Sequence, residues 1–119
     1  MKRIFVYGTL KRGCKNHRNL AGQTYAGEAR TVPGFRLYSL GDYPGMAADP
    51  TDFEGVTGEV WEVDDDMLVQ LDAFEGVSEG LYRREPVPLE APFAKTEVHA
   101  YLYARPIEGL PMIGGTWRE

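Results

Sequence analysis

Only one segment of this chain carries helical spacing; the rest reads as short strands and turns. Across residues 64–76, apolar side chains stand at Met67, Leu68, Leu71 and Phe74, the recurrence of an amphipathic helix. Asp64 is placed as its N-cap, and Asp65 and Asp66 complement the positive end of the helix dipole. Val63 can staple onto Leu68, and Gly76 supplies a left-handed stop.

The strand pattern begins at once. Ile4, Phe5, Val6 and Tyr7 form an uninterrupted β-branched and aromatic run ending at Gly8, which predicts a central strand buried on both faces. Strands are expected over 27–32 and 35–40, separated by the turn dipeptide Pro33-Gly34, with a second turn region at 41–45. Residues 56–61 alternate with a period of two, and late strands are expected over 82–89 and 98–103. Pro86 inside the first of these implies an edge or a bulge, because proline cannot donate to a ladder. The tail from Pro106 reads as irregular, tied down by Trp117.

Composition narrows the function classes. At 119 residues and 43% apolar, the chain has material for one core, so a single domain over 1–119 is expected. Thirteen basic residues against eighteen acidic give a net charge of −5, which argues against nucleic acid. The one dense basic cluster, Lys11, Arg12, Lys15 and Arg18, suits a small anion or a surface loop. Cys14 is the sole cysteine, so no intrachain disulfide forms, and a reducing compartment, the cytoplasm, is expected. The apolar run near the N-terminus is too short for a secretory signal, and no stretch approaches the ~18 apolar residues of a membrane-spanning helix.

Glu75 is the sharpest candidate for chemistry. At ~100° per residue it falls inside the helix stripe, between Leu71 and Leu68. A carboxylate on an apolar face at the C-terminal end of a helix is disfavoured by burial and by the dipole, so its pKa rises toward that of a general base at neutral pH. The alternatives are an ion pair with Arg83 or Arg84, or fraying into solvent at the helix end. The strand exit at residues 7–13 is the second candidate, since Gly8 permits close backbone approach and could present N–H groups to an anion. A phosphate loop fails there, because Cys14-Lys15 stands where Lys followed by Ser or Thr is required. Cys14 with His17 could pair as thiol and base, without a third group to orient them. His17 and His99 lack metal-ligand spacing, and Asp49, Asp52 and Glu54 do not form a calcium loop, so no metal is expected. Tyr43, Trp61, Tyr82, Tyr101 and Tyr103 could line a pocket or simply pack.

The stretch Phe5-Val6-Tyr7-Gly8-Thr9-Leu10-Lys11-Arg12-Gly13 through Asn16-His17-Arg18, joined to Leu71-Asp72-Ala73-Phe74-Glu75-Gly76 and Tyr82-Arg83-Arg84, resembles the gamma-glutamylcyclotransferase-like family over nearly the whole chain. Its gamma-glutamylamine cyclotransferases and small bacterial members are the nearest likeness. The resemblance implies an α+β fold, a small mixed β-barrel with one main helix across it. It implies a pocket between the strand-exit loop and the helix C-terminus. Glu75 would be the catalytic acid/base; Tyr7, Gly8, Thr9 and Leu10, with Tyr43 and Tyr82, would bind substrate; and Lys11-Arg12 could attract the substrate carboxylate. The implied partner is a small gamma-glutamyl amine, with no cofactor, cyclised to 5-oxoproline and a free amine. Because the five-membered closure is intramolecular, effective molarities of ~10⁵–10⁸ M leave the protein chiefly conformer selection, proton transfer and oxyanion donors. A non-catalytic binder of the same metabolites is the alternative, and an amide hydrolase using Cys14 is a third reading.

Overall fold

Strand β1 (Lys2–Val6) lies between two partners, as its unbroken apolar run requires. The computed structural model describes residues 2–119. Eight strands form one mixed sheet: β1, β2 (Thr24–Arg30), β3 (Phe35–Ser39), β4 (Pro44–Ala48), β5 (Thr57–Val63), β6 (Tyr82–Pro86), β7 (His99–Tyr103) and β8 (Met112–Ile113). Helix α1 (Asp65–Phe74) follows β5 directly. The spatial order is β2-β5-β1-β7-β4-β3-β8, with β6 on the other edge of β7. Alternate residues of β1 feed two cores. Ile4 and Val6 join Trp61, Leu71, Tyr82 and Tyr101 on the helix side; Phe5 joins Leu37, Met46, Val60 and Leu102 on the other.

The feature that makes room for a site is a shared edge. β6 occupies one side of β7, so β1 and β4 both pair with the opposite side, in succession. β1 pairs through Phe5 with Ala100, and β4 through Met46 with Leu102. Where the two strands part, Tyr7 takes up the broken ladder: its hydroxyl donates to Tyr101 O at 2.5 Å and accepts from Met46 N at 3.2 Å. The sheet does not close. A single bridge from Thr31 to Leu89, flanked by Val32 N to Pro88 O and Glu90 N to Arg30 O, ties the β2 edge to the chain beyond β6, so the expected barrel is an open one.

Four segments differ from expectation. The turn region at 41–45 is partly strand: Tyr43 closes a hairpin onto Leu40, and Pro44 and Gly45 open β4. Glycine is needed at 45 because a Cβ there would sit 2.9 Å from Tyr103 Cβ. β2 starts earlier, at Thr24, with a bulge between Tyr25 and Gly27. β6 ends at Pro86, on a strand whose sole ladder partner is β7, in keeping with an edge proline. The tail contributes β8, two residues on β3, too short to show a period; Trp117 packs partly against the core. Helix α1 is capped as its sequence predicts: Asp64 accepts from Met67 N at 2.7 Å, and Gly76 has φ 67°. Among the described residues no helix is long and apolar enough to cross a membrane.

Candidate active site

Helix α1 ends in a way that turns Glu75 toward a cavity. Its backbone N–H still bonds Leu71 O at 2.9 Å, but Gly76 then reverses the chain into a short 3-10 turn at Val77–Glu79. The cavity, about 410 Å³, lies between the strand-exit loop, residues 42–44, the helix end, and tyrosines of β6 and β7. Arg83 pairs with Glu85, and Arg84 forks onto Asp72, so the alternative of an ion pair to Glu75 is overturned. Among the described residues the Glu75 carboxylate has neither an ion pair nor a hydrogen bond. Burial pushes its pKa up to about 7. A carboxyl half-ionised near neutral pH can take up a proton and give it back.

The wall opposite is the loop at residues 7–10, every residue of which is buried and lines the cavity. The loop's carbonyls are occupied. Gly8 O accepts from Lys11 N at 3.1 Å, Thr9 O from Asn16 N at 2.9 Å, and Leu10 O bonds His17 Nδ1 at 3.0 Å. Asn16 Nδ2 also donates to Thr9 Oγ1 at 2.9 Å. The N–H groups of Gly8, Thr9 and Leu10 have no protein acceptor among the described residues. Three unbonded amides on one loop suit a carboxylate or a developing oxyanion. Gly8 is required for a reason the sequence did not reveal: a Cβ there would lie 2.8 Å from Pro44 Cγ, so the glycine serves the contact with β4 and not open ligand space.

Tyr7, Tyr82 and Tyr101 line the cavity with their hydroxyls committed to protein acceptors: Tyr7 to Tyr101 O, Tyr82 to Pro44 O at 2.7 Å, and Tyr101 to Asp72 Oδ1 at 2.7 Å. Burial, with the Glu75 charge adding to it, raises all three phenols above the ordinary tyrosine range, so none ionises near neutral pH. Tyr43 and Phe74, 39% and 48% exposed, stand at the mouth. The stripe that groups Phe74 with the core is thus wrong at its last member.

The basic cluster divides. Lys15 lines the cavity and donates to Asp42 O at 3.0 Å. Lys11 Nζ instead bonds Trp117 O at 2.8 Å, and Arg12 is held by Glu59 at 3.1 Å over the Tyr25 ring, so neither reaches the cavity and the carboxylate-attracting role expected of them is withdrawn. Cys14 does not line the cavity, and burial raises its thiol pKa, the reverse of an activated nucleophile. His17 is committed to Leu10 O and packs on Trp61 with ring centroids 5.2 Å apart, so the thiol and base pair is absent. Sequence reasoning placed Lys15 only in the basic cluster and missed Asn16, Asp42 and Leu81 as lining residues. Nothing in their local pattern separates them from an ordinary loop. Among the described residues no three His, Cys, Asp or Glu side chains converge to hold a metal.

A family model described as gamma-glutamyl cyclotransferase, AIG2-like, matches residues 4–119. The gamma-glutamylcyclotransferase family protein ytfP of Citrobacter rodentium is 37% identical over 118 residues, 98% of this chain and 96% of that protein. The gamma-glutamylaminecyclotransferase of Rattus norvegicus is 42% identical over 91 residues, 71% of this chain and 60% of that protein. Among solved structures, an AIG2-like protein from Mus musculus matches with a TM-score of 0.80 at 33% identity, covering 95% of this chain and 86% of the other. The solution structure of ytfP from Escherichia coli matches with a TM-score of 0.70 at 33% identity, covering 97% and 94%.

Proposed function

The chain belongs to the gamma-glutamyl cyclotransferase, AIG2-like family, and we propose that it cyclises the gamma-glutamyl group of a gamma-glutamyl amine, releasing 5-oxoproline and a free amine. The observation that carries this reading is the unpaired Glu75 carboxyl, with a pKa near 7, in one cavity with the unbonded amides of Gly8, Thr9 and Leu10.

In the proposed reaction the substrate's α-nitrogen attacks its own γ-carbonyl carbon. As that N–C bond forms, Glu75 takes a proton from the attacking nitrogen. The γ-oxygen gains charge and is received by the loop amides. Glu75 then returns the proton to the departing nitrogen as the original C–N bond breaks, and it ends as the carboxylate it began. Tyr7 and Tyr82, their donors already committed, shape the walls, and Tyr43 at the mouth meets the leaving group. The preference for an amine rests on the likeness to the rat gamma-glutamylaminecyclotransferase.

The test is a screen of gamma-glutamyl amines, gamma-glutamyl amino acids and glutathione for 5-oxoproline by mass spectrometry, with Glu75→Gln alongside. Turnover of an amine, reduced at least ~10²-fold in the variant, is expected. Undiminished turnover by Glu75→Gln would remove Glu75 from the chemistry. Binding without turnover would favour the non-catalytic reading.

A further inference from the structure

The Glu75 carboxylate makes no bond among the described residues, and the turn of helix that carries it is weakly held. Leu71 is the last buried residue of α1; Ala73 and Phe74 are exposed, and no basic residue complements the last turn. A helix end with so little burial frays unless another contact holds it. Proton transfer tolerates little of that, since a displacement of ~1 Å can cost ~10²-fold in rate.

The missing contact is Asp72, three residues before Glu75. Arg84 and Tyr101 face one another across the antiparallel β6–β7 pair, so their side chains leave the sheet on the same face. Both reach Asp72. Tyr101 Oη donates to Oδ1 at 2.7 Å, Arg84 Nε donates to Oδ1 at 2.9 Å, and Arg84 Nη2 donates to Oδ2 at 3.4 Å. Arg84 is itself oriented: Nη1 donates to His99 Nδ1 at 3.0 Å, which puts the imidazole proton on Nε2, toward Glu97 at 2.7 Å. Tyr101 also reaches the opposite wall, because its main-chain oxygen accepts from Tyr7. One residue therefore touches both halves of the site, the helix through its hydroxyl and the loop through its carbonyl.

We propose that Asp72, clamped by Arg84 and Tyr101 from a single rung of the sheet, is a positioning residue that holds Glu75 at a fixed separation from the loop amides. The inference rests on the reading of Glu75 as the proton carrier, but its test does not need turnover.

The experiment follows the ¹³C resonance of the Glu75 side-chain carboxyl through a pH titration of the protein alone. The ionisable groups around that carboxyl are Tyr7 and Lys15 from the strand exit, Asp42 and Tyr43 from the segment before β4, Tyr82 from β6, Tyr101 from β7, and Asp72 on its own helix, with Arg84 behind. Arg84→Gln sets two effects against each other. Losing a cation alone would raise the Glu75 midpoint, whereas releasing the helix end lets water reach the carboxylate and lowers it. We expect a fall of about one pH unit. Tyr101→Phe removes an anchor without changing any charge at neutral pH and should lower the midpoint as well. If a substrate is found, both variants should lose ~10-fold or more in kcat with little change in KM. Far-UV circular dichroism and thermal melts establish that each variant is folded, and Tyr101→Phe decides the matter if Arg84→Gln does not fold. A midpoint that is unchanged or raised in a folded variant overturns the clamp. A lowered midpoint in a protein that turns over no gamma-glutamyl compound leaves the clamp standing and refutes the proposed function.

Discussion

Replacing Glu75 by glutamine should make the protein more stable at alkaline pH while destroying its chemistry. The carboxyl is raised from 4.5 to about 7 by burial alone. Between those values the folded chain holds a proton that the unfolded chain has released. Stability therefore falls as pH rises through this window, and the loss is complete above 7. At ~1.4 kcal/mol per pH unit the full cost is roughly 3 kcal/mol, reduced to about 2 kcal/mol by the water that still reaches this half-buried side chain. Glutamine has the same volume and no charge, so the variant is relieved of that cost. For a chain of this length 1 kcal/mol moves Tm by about 4 °C, which predicts a gain of roughly 8 °C at pH 8. The gain should shrink to under about half near pH 5.5 and vanish at pH 4. Thermal melts of both proteins across pH 4–8 test the reasoning. Equal melting temperatures throughout would show that the carboxylate is well solvated, and a variant less stable at pH 8 would show that it has a partner.

The same titration governs activity: kcat/KM should rise about tenfold per pH unit up to about 7 and then level on the Glu75 limb, as read from a pH–rate profile of any confirmed substrate. Gly8→Val should destabilise the fold by about 1–3 kcal/mol, because its Cβ would meet Pro44 at 2.8 Å, and calorimetry should show ligand affinity lost along with Tm; unchanged stability would refute the contact. Cys14→Ser should leave 5-oxoproline release within about twofold of wild type, since the thiol lies off the cavity and is held protonated; loss of activity would revive the thiol reading.

Local chemistry determined a good deal of this protein. The Ile4–Tyr7 run dictated a strand with two buried faces, because no alternation left one face polar. Asp64 and Gly76 bounded the helix, since capping is satisfied within a few residues of chain. The 3.6-residue period put Glu75 on the stripe, and burial did raise its pKa. What local chemistry could not decide was partnership across the sheet. Arg84 and Asp72 are twelve residues apart, and only the rung that sets Arg84 against Tyr101 under α1 decides that Arg84 serves Asp72 and leaves Glu75 unpaired. Lys11 and Lys15 are four residues apart in one basic loop, yet the tail takes Lys11 and the cavity takes Lys15, because Trp117 arrives from the far end of the chain. Pro44 and Gly45 read as a turn until β3 receives them as a strand, Ser39 opposite Pro44 and Tyr38 opposite Gly45. Period and capping act within a few residues and are written in order along the chain. Which side chains meet in a cavity depends on strand register, which is settled only when distant segments pack.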